Sequence, residues 1–179
     1  IEGKSKLYYA MGAFPQFDSK VIFWANSIAE DDRSGTQPPG EFVQLGVFLH
    51  ELRLFKSTKE IEILRKAAEI SVQSHLHVMQ ELSPGQMEYE IEADLQYHFA
   101  RRGARFTAYP SIVGGGSNAC VYHYIENDQP LVAGDLVLID AGSEYEYYAS
   151  DVTRTLPVDG VFTKPQADLY QIVLDAQEA

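Results

Sequence analysis

Apolar residues recur at helical spacing across residues 57–83, at Ile61, Leu64, Ala68, Ile70, Val72, Leu76, Val78 and Met79, the signature of an amphipathic helix. Ser57 with Glu60 forms a capping box at its start, and Ser83, Pro84 and Gly85 stop it. A second helix is predicted over 87–102, where Ile91, Leu95 and Phe99 fall four residues apart. Glu88, Glu90 and Glu92 favour the positive end of its dipole, and Gly103 supplies a C-terminal stop. The pattern then changes. Short apolar runs at 111–113, 121–125, 136–141 and 148–156 predict strands, separated by turns at 114–117, 132–135 and 142–146. A last helix begins near Thr163, with Pro165 in its first turn, and carries the apolar stripe Tyr170, Val173, Leu174 and Ala176.

Before residue 50 the signals are weaker. Runs at 7–9 and 21–28, split by Gly12, Pro15 and Asp18, read as strand, turn and helix; residues 34–40 (SGTQPPG) form a turn-rich connector, and 42–50 are apolar again. These changes predict a domain boundary at 50/51. Residues 51–179 are expected to be α+β, with helices packed on one face of a largely antiparallel sheet. The chain begins at Ile1 within apparent structure and ends at Ala179 within a helical pattern, so it reads as a fragment of a longer protein.

The strand pair 136–141 and 148–156 carries the candidate chemistry. Were the hairpin regular about a midpoint between Tyr145 and Glu146, Asp140 and Asp151 would face each other. Directly opposed side chains have Cβ atoms roughly 4.5–5.5 Å apart, a separation at which like charges repel. A divalent cation between them relieves that repulsion, and two such carboxylates also suit a pair of metals roughly 3.5–4 Å apart. The alternative is that both are solvated turn and edge residues. Thr153, two residues after Asp151 and so on the same strand face, can hydrogen-bond a ligand carboxylate.

Charge and composition narrow the partners. Lys and Arg number 14 against 26 Asp and Glu, a formal charge of −12, which argues against nucleic acid or an anionic membrane surface; most of these charges read as solvated helix faces. Cys120 is the single cysteine; no intramolecular disulfide is possible, and the thiol is expected to be buried. No apolar run approaches the roughly 18 residues of a membrane span, so a cytoplasmic location is expected. His75 and His77, two apart on a helix, form no metal pair, and His98 reads as solvated. Residues 114–116 lack the Lys and helix of a phosphate loop.

The stretches ARFTAYPSIVGGGSNACVYHYIEND and GDLVLIDAGSEYEYYASDVTRTLPVDGVFT, with HELRLFKS upstream, resemble the pita-bread (creatinase/aminopeptidase) metallopeptidases, and among them the bacterial-type Xaa-Pro aminopeptidases (aminopeptidase P). The resemblance implies that 51–179 are the first half of a pita-bread catalytic domain, and that 1–50 are the end of an α/β amino-terminal domain and its linker. It implies hydrolysis of an N-terminal Xaa-Pro bond, in a peptide with proline second, by a hydroxide held between two divalent ions, manganese foremost. Asp140 matches a ligand that chelates one ion and Asp151 one that bridges both. A histidine and two glutamates would complete the set beyond Ala179, leaving this chain inactive alone. His123 matches a catalytic, substrate-binding histidine, and Tyr109 an active-site tyrosine beside the metals. A homo-oligomer is expected for the full-length protein. An Xaa-Pro dipeptidase (prolidase) and a non-catalytic pita-bread binding module remain the alternatives.

Overall fold

Residues 1–31 and 35–179 are described in the computed structural model, and the chain separates into two units, Ile1–Ser57 and Thr58–Ala179. Position 34, the first of the predicted connector, lies outside the described residues.

In the first unit strand β1 (Lys6–Tyr9) leads to helix α1 (Pro15–Glu30), strand β2 (Glu41–Gln44) and helix α2 (Gly46–Leu54). β1 and β2 pair in parallel, from Lys6 opposite Glu41 to Tyr9 opposite Gln44, which requires the crossover that α1 supplies. Pro15, with its fixed φ and missing N–H, opens α1. Positions 50 and 51, where the sequence places the boundary, fall inside α2.

The second unit begins with the two predicted helices, α3 (Thr58–Glu81) and α4 (Glu88–Arg101). Strands β3 (Phe106–Thr107) and β4 (Ile112–Gly115), a 3-10 turn (Gly116–Cys120), strands β5 (Leu136–Ala141), β6 (Ser143–Tyr145), β7 (Tyr148–Ala149) and β8 (Val152–Pro157), and helix α5 (Lys164–Glu178) follow. The strands form two antiparallel sheets of three, ordered β4-β5-β8 and β3-β6-β7. One long hairpin, β5-β6 out and β7-β8 back, runs through both. Its turn is the two-residue Glu146-Tyr147, at φ 52° and 68°, as a type I′ hairpin turn requires. Among the described residues no helix is long and apolar enough to cross a membrane.

Strict alternation along β5 sends Val137, Ile139 and Ala141 into the core and leaves Asp140 on the opposite face. Ile70 and Val78 of α3, Ile91, Leu95 and Phe99 of α4, and Val113 of β4 complete that core. Five of the eight residues of the predicted α3 stripe are exposed, Ile61, Ala68, Val72, Leu76 and Met79, while Ser71, Ser74 and His75 are buried. The polar residues go inside because the hydrogen bonds are there. Ser71 Oγ lies 2.7 Å from Ser150 Oγ and accepts the Ser143 N–H at 2.9 Å, and Ser143 Oγ donates to the Ala67 carbonyl at 3.1 Å.

Several expectations are corrected. Residues 121–125 are irregular, not a strand, because His123 takes a left-handed conformation at φ 56° that breaks any ladder. The glycine turn at 114–117 is the end of β4 and the start of the 3-10 turn. Cys120, ending that turn, is exposed rather than buried. His98 is only partly exposed, its ring centroid 3.7 Å from that of His77.

Candidate metal centre

Asp140 lies on the central strand of its sheet, opposite Ile112 of β4 on one side and Thr153 of β8 on the other. The hairpin turns one residue later than the midpoint assumed from sequence, so Thr153, not Asp151, faces Asp140. The correction has a physical cause: Glu146 and Tyr147 adopt the positive φ that an I′ turn demands, although neither is Asn or Gly. Asp151 sits diagonally, two residues before Thr153 and on the same face.

Between Ala141 and Ser143 the hairpin is pinched. A Cβ on Gly142 would lie 1.8 Å from the Ser150 carbonyl oxygen, so only glycine permits this approach. Here the chain passes from one sheet to the other, held by the Ser150 N–H donating to the Ser143 carbonyl at 3.0 Å. Asp151 follows immediately, and the pinch sets where its side chain emerges.

Tyr109 closes the group. Its segment is tied to the pinch by the Ala108 N–H, which donates to the Gly142 carbonyl at 2.9 Å. Its hydroxyl lies 2.5 Å from Asp140 Oδ1 and 2.9 Å from Asp151 Oδ1. The two carboxylate oxygens are therefore no farther apart than those two bonds laid end to end. One hydroxyl hydrogen serves both acceptors. Burial, and then the hydrogen bonds to Asp140 and Asp151, push the Tyr109 pKa far above its ordinary value, so the hydroxyl stays a donor.

A cavity of about 400 Å³ opens onto these oxygens, lined by Tyr109, Pro110, Ile112, His123, Ile125, Asp140 and Asp151. The structure thus brings together four of the five residues singled out from sequence. Thr153 stands behind Asp140 in register but does not line the cavity. His123 is exposed, its ring stacked on that of Tyr122 with centroids 4.0 Å apart. Among the described residues, no group of three or more His, Cys, Asp and Glu side chains converges on a metal-sized site.

Sequence reasoning passed over two buried groups that hold the loop bearing His123. Glu88, read only as a helix-dipole charge, is fully buried, and Asn127 is 1% exposed. Glu88 accepts from Tyr124 in the chain segment that carries His123, and Asn127, on that segment, accepts the Val113 N–H of β4. Glu88 has a faint signal, an acid at the first position of a helix; Asn127 has none beyond its tolerance of positive φ.

Ser71 packs beneath the pinch, and His75 lies one helical turn further along α3. His75 Nδ1 is 2.9 Å from the Ser71 carbonyl, while Nε2 finds no hydrogen-bond partner among the described residues. Burial holds its pKa below 6.5, against smaller opposing effects of the Ser71 and Val152 backbones.

Comparison with known proteins agrees with this assembly. Xaa-Pro aminopeptidase of Escherichia coli is 41% identical over 178 residues, 99% of this chain. The Haemophilus influenzae Xaa-Pro aminopeptidase is 53% identical over 130 residues, 73% of this chain and 30% of the relative. The solved structure of Pseudomonas aeruginosa aminopeptidase PepP superposes over 100% of this chain with a TM-score of 0.95 at 49% identity, using 40% of its own length. An E. coli aminopeptidase P solved in complex with substrate gives a TM-score of 0.94. This chain spans about 40% of the length of the E. coli relative. The helix-covered antiparallel sheets are those of the pita-bread fold, and the family model of metallopeptidase family M24 matches residues 62–179, a match that takes in Tyr109, His123, Asp140 and Asp151: the chain belongs to that family.

Proposed function

We propose that the protein from which this chain comes hydrolyses the N-terminal Xaa-Pro bond of peptides, with Asp140 and Asp151 among the ligands of two divalent ions. The observation that carries this reading is the convergence of two carboxylates on the single hydroxyl hydrogen of Tyr109 at the mouth of a cavity. One hydrogen cannot balance two anions, and acceptor-only oxygens so close together suit a hard cation. Manganese fits this donor chemistry. Asp140 would chelate one ion and Asp151 bridge both. Divalent ions, when bound, ease deprotonation of water and polarise the scissile carbonyl.

The chain's own residues do the rest. Tyr109 holds the two carboxylates at a fixed separation. Thr153, opposite Asp140, supports that aspartate from the neighbouring strand. His123 presents an imidazole at the cavity wall, where it can hydrogen-bond the substrate carbonyl and stabilise charge that develops there. Pro110, Ile112 and Ile125 give the cavity an apolar wall against which a proline ring can pack.

The test is the full-length gene product loaded with manganese, offered an Xaa-Pro-Xaa peptide and an Xaa-Pro dipeptide. Release of the first residue from the longer peptide is expected. Turnover of the dipeptide alone makes it a dipeptidase, and turnover of neither, with less than one metal bound, refutes the peptidase reading.

A further inference from the structure

We infer that Glu88 is a positioning residue for His123: its buried carboxylate straps the loop between Gly115 and Gln129 to the start of α4, and the strapped loop presents the imidazole to the cavity. The inference rests on the aminopeptidase reading for what His123 does there.

Glu88 is fully buried, and no salt bridge reaches it among the described residues. A buried charge without a counter-ion is costly unless hydrogen bonds satisfy its oxygens. Four do. Oε1 accepts the Gly115 N–H at 2.8 Å and Asn118 Nδ2 at 3.1 Å. Oε2 accepts the Tyr124 hydroxyl at 2.7 Å and the Gln129 N–H at 3.0 Å. These partners lie at the start, middle and end of one loop, and the first turn of α4 adds its positive dipole. Burial and the Glu88 hydrogen bond push Tyr124 up to about 12, so its hydroxyl remains a donor at any assay pH.

The strapped segment needs holding. His123 at φ 56° and Asn127 at φ 47° are non-glycine residues in the left-handed region, a conformation that persists when the surroundings impose it. Tyr124, the residue after His123, is the one whose hydroxyl Glu88 grips. Asn127 supplies a second strap: its Oδ1 accepts the Val113 N–H at 2.9 Å, and its Nδ2 donates to the Ser111 carbonyl and to Glu92 Oε2, both at 2.9 Å. His123 thus hangs between two anchored points, one on α4 and one on β4, the strand beside Asp140.

The geometry makes an isosteric substitution informative. Each Glu88 oxygen faces one backbone N–H, Gly115 on one side and Gln129 on the other. In Glu88→Gln the amide nitrogen meets an N–H whichever way it turns, so one strap breaks without opening a cavity.

The experiment compares the full-length, manganese-loaded protein with Glu88→Gln, His123→Ala and the double variant. Glu88→Gln is expected to lower kcat/KM for an Xaa-Pro-Xaa peptide by ~10–100-fold, the range for residues that orient a functional group, at unchanged metal stoichiometry. In the double variant the loss is expected to equal that of His123→Ala alone, because residues acting through one group are not additive. In hydrogen exchange followed by mass spectrometry, amides of 116–129 exchange faster in Glu88→Gln while α3 and β5 keep wild-type protection. Tyr124→Phe removes one donor and keeps the ring; it gives a smaller loss in the same direction and decides the matter should Glu88→Gln fail to fold. Multiplicative losses, parallel loss of metal, or unchanged exchange in the loop overturns the inference. Absence of wild-type turnover sinks the aminopeptidase reading alone, since the exchange comparison, read without substrate, still upholds or overturns the strap.

Discussion

A single methyl group at Gly142 tests whether the pinch in the hairpin builds the metal centre. In Gly142→Ala the new carbon would lie 1.8 Å from the Ser150 carbonyl oxygen, 2.7 Å from its carbon and 3.1 Å from Tyr109 Cε1, where real Cβ contacts essentially never fall below 3.0 Å. The arms must therefore part until 1.8 Å becomes at least 3.0 Å. A movement of that size carries both local hydrogen bonds, Ser150 N–H to Ser143 carbonyl at 3.0 Å and Ala108 N–H to Gly142 carbonyl at 2.9 Å, out of bonding range. Two lost bonds with their buried partners left unsatisfied cost roughly 3–5 kcal/mol. For a domain of this size that lowers Tm by roughly 10 °C or more. Asp151 follows Ser150, and Tyr109 is pushed directly, so the two carboxylates lose their shared hydroxyl and manganese affinity falls by ~10-fold or more. Thermal melts and calorimetric manganese titration of the full-length protein read both effects. Gly134→Ala is the control: Gly134 sits at φ 87° with nothing within 4 Å of a Cβ, so it costs only about 1–2 kcal/mol of backbone strain and leaves the metal affinity alone. A Gly142→Ala protein that melts within about 2 °C of wild type and binds manganese equally well would refute the steric argument.

Three further outcomes are expected. Asp151→Asn removes a charged ligand and should weaken manganese binding roughly 10–100-fold and abolish most peptide turnover; wild-type turnover would remove Asp151 from the site. Tyr109→Phe deletes the hydrogen that holds Asp140 and Asp151 together, so the metal-free protein should melt lower and the rise in Tm on adding manganese should be smaller than that of wild type, a comparison read by calorimetry. His75 is held below 6.5 by burial; the unfolded chain therefore takes up a proton that the folded state resists, and stability drops as pH falls through 6.5 and levels off below the folded pKa. A His75→Asn variant should lose less Tm than wild type between about pH 7.5 and pH 5.5, and parallel curves would show that His75 does not contribute.

The long helices α3 and α4, the late helix and the hairpin strands were all legible in the sequence, because period and turn residues announce them. Asp140 and Asp151 were legible as chemistry from their own placement, Tyr109 and His123 only through the family resemblance, and the structure gathers the four round one cavity. What was not legible is what depends on distant partners. Ser71 looks like a surface residue on a helical wheel until Ser143 and Ser150 arrive from the hairpin to bond with it. The hairpin register depended on a turn, Glu146-Tyr147, whose residue types do not advertise its positive φ. Residues 121–125 have strand composition, yet the Tyr124 bond to Glu88 and the anchoring of Asn127 on Val113 and Ser111 hold them irregular, an override of local propensity by tertiary hydrogen bonds.

The hairpin that serves both sheets has a thermodynamic consequence. Asp140 belongs to the sheet β4-β5-β8, Tyr109 lies between strands of the two sheets, and Asp151 emerges where one becomes the other. Neither sheet can come apart without dispersing the carboxylates, so losing the site and losing the fold are one transition. Any cation held there is then a folding ligand, contributing about 2.7 kcal/mol at a hundredfold excess over its Kd, and the melting temperature becomes a titration curve for the metal.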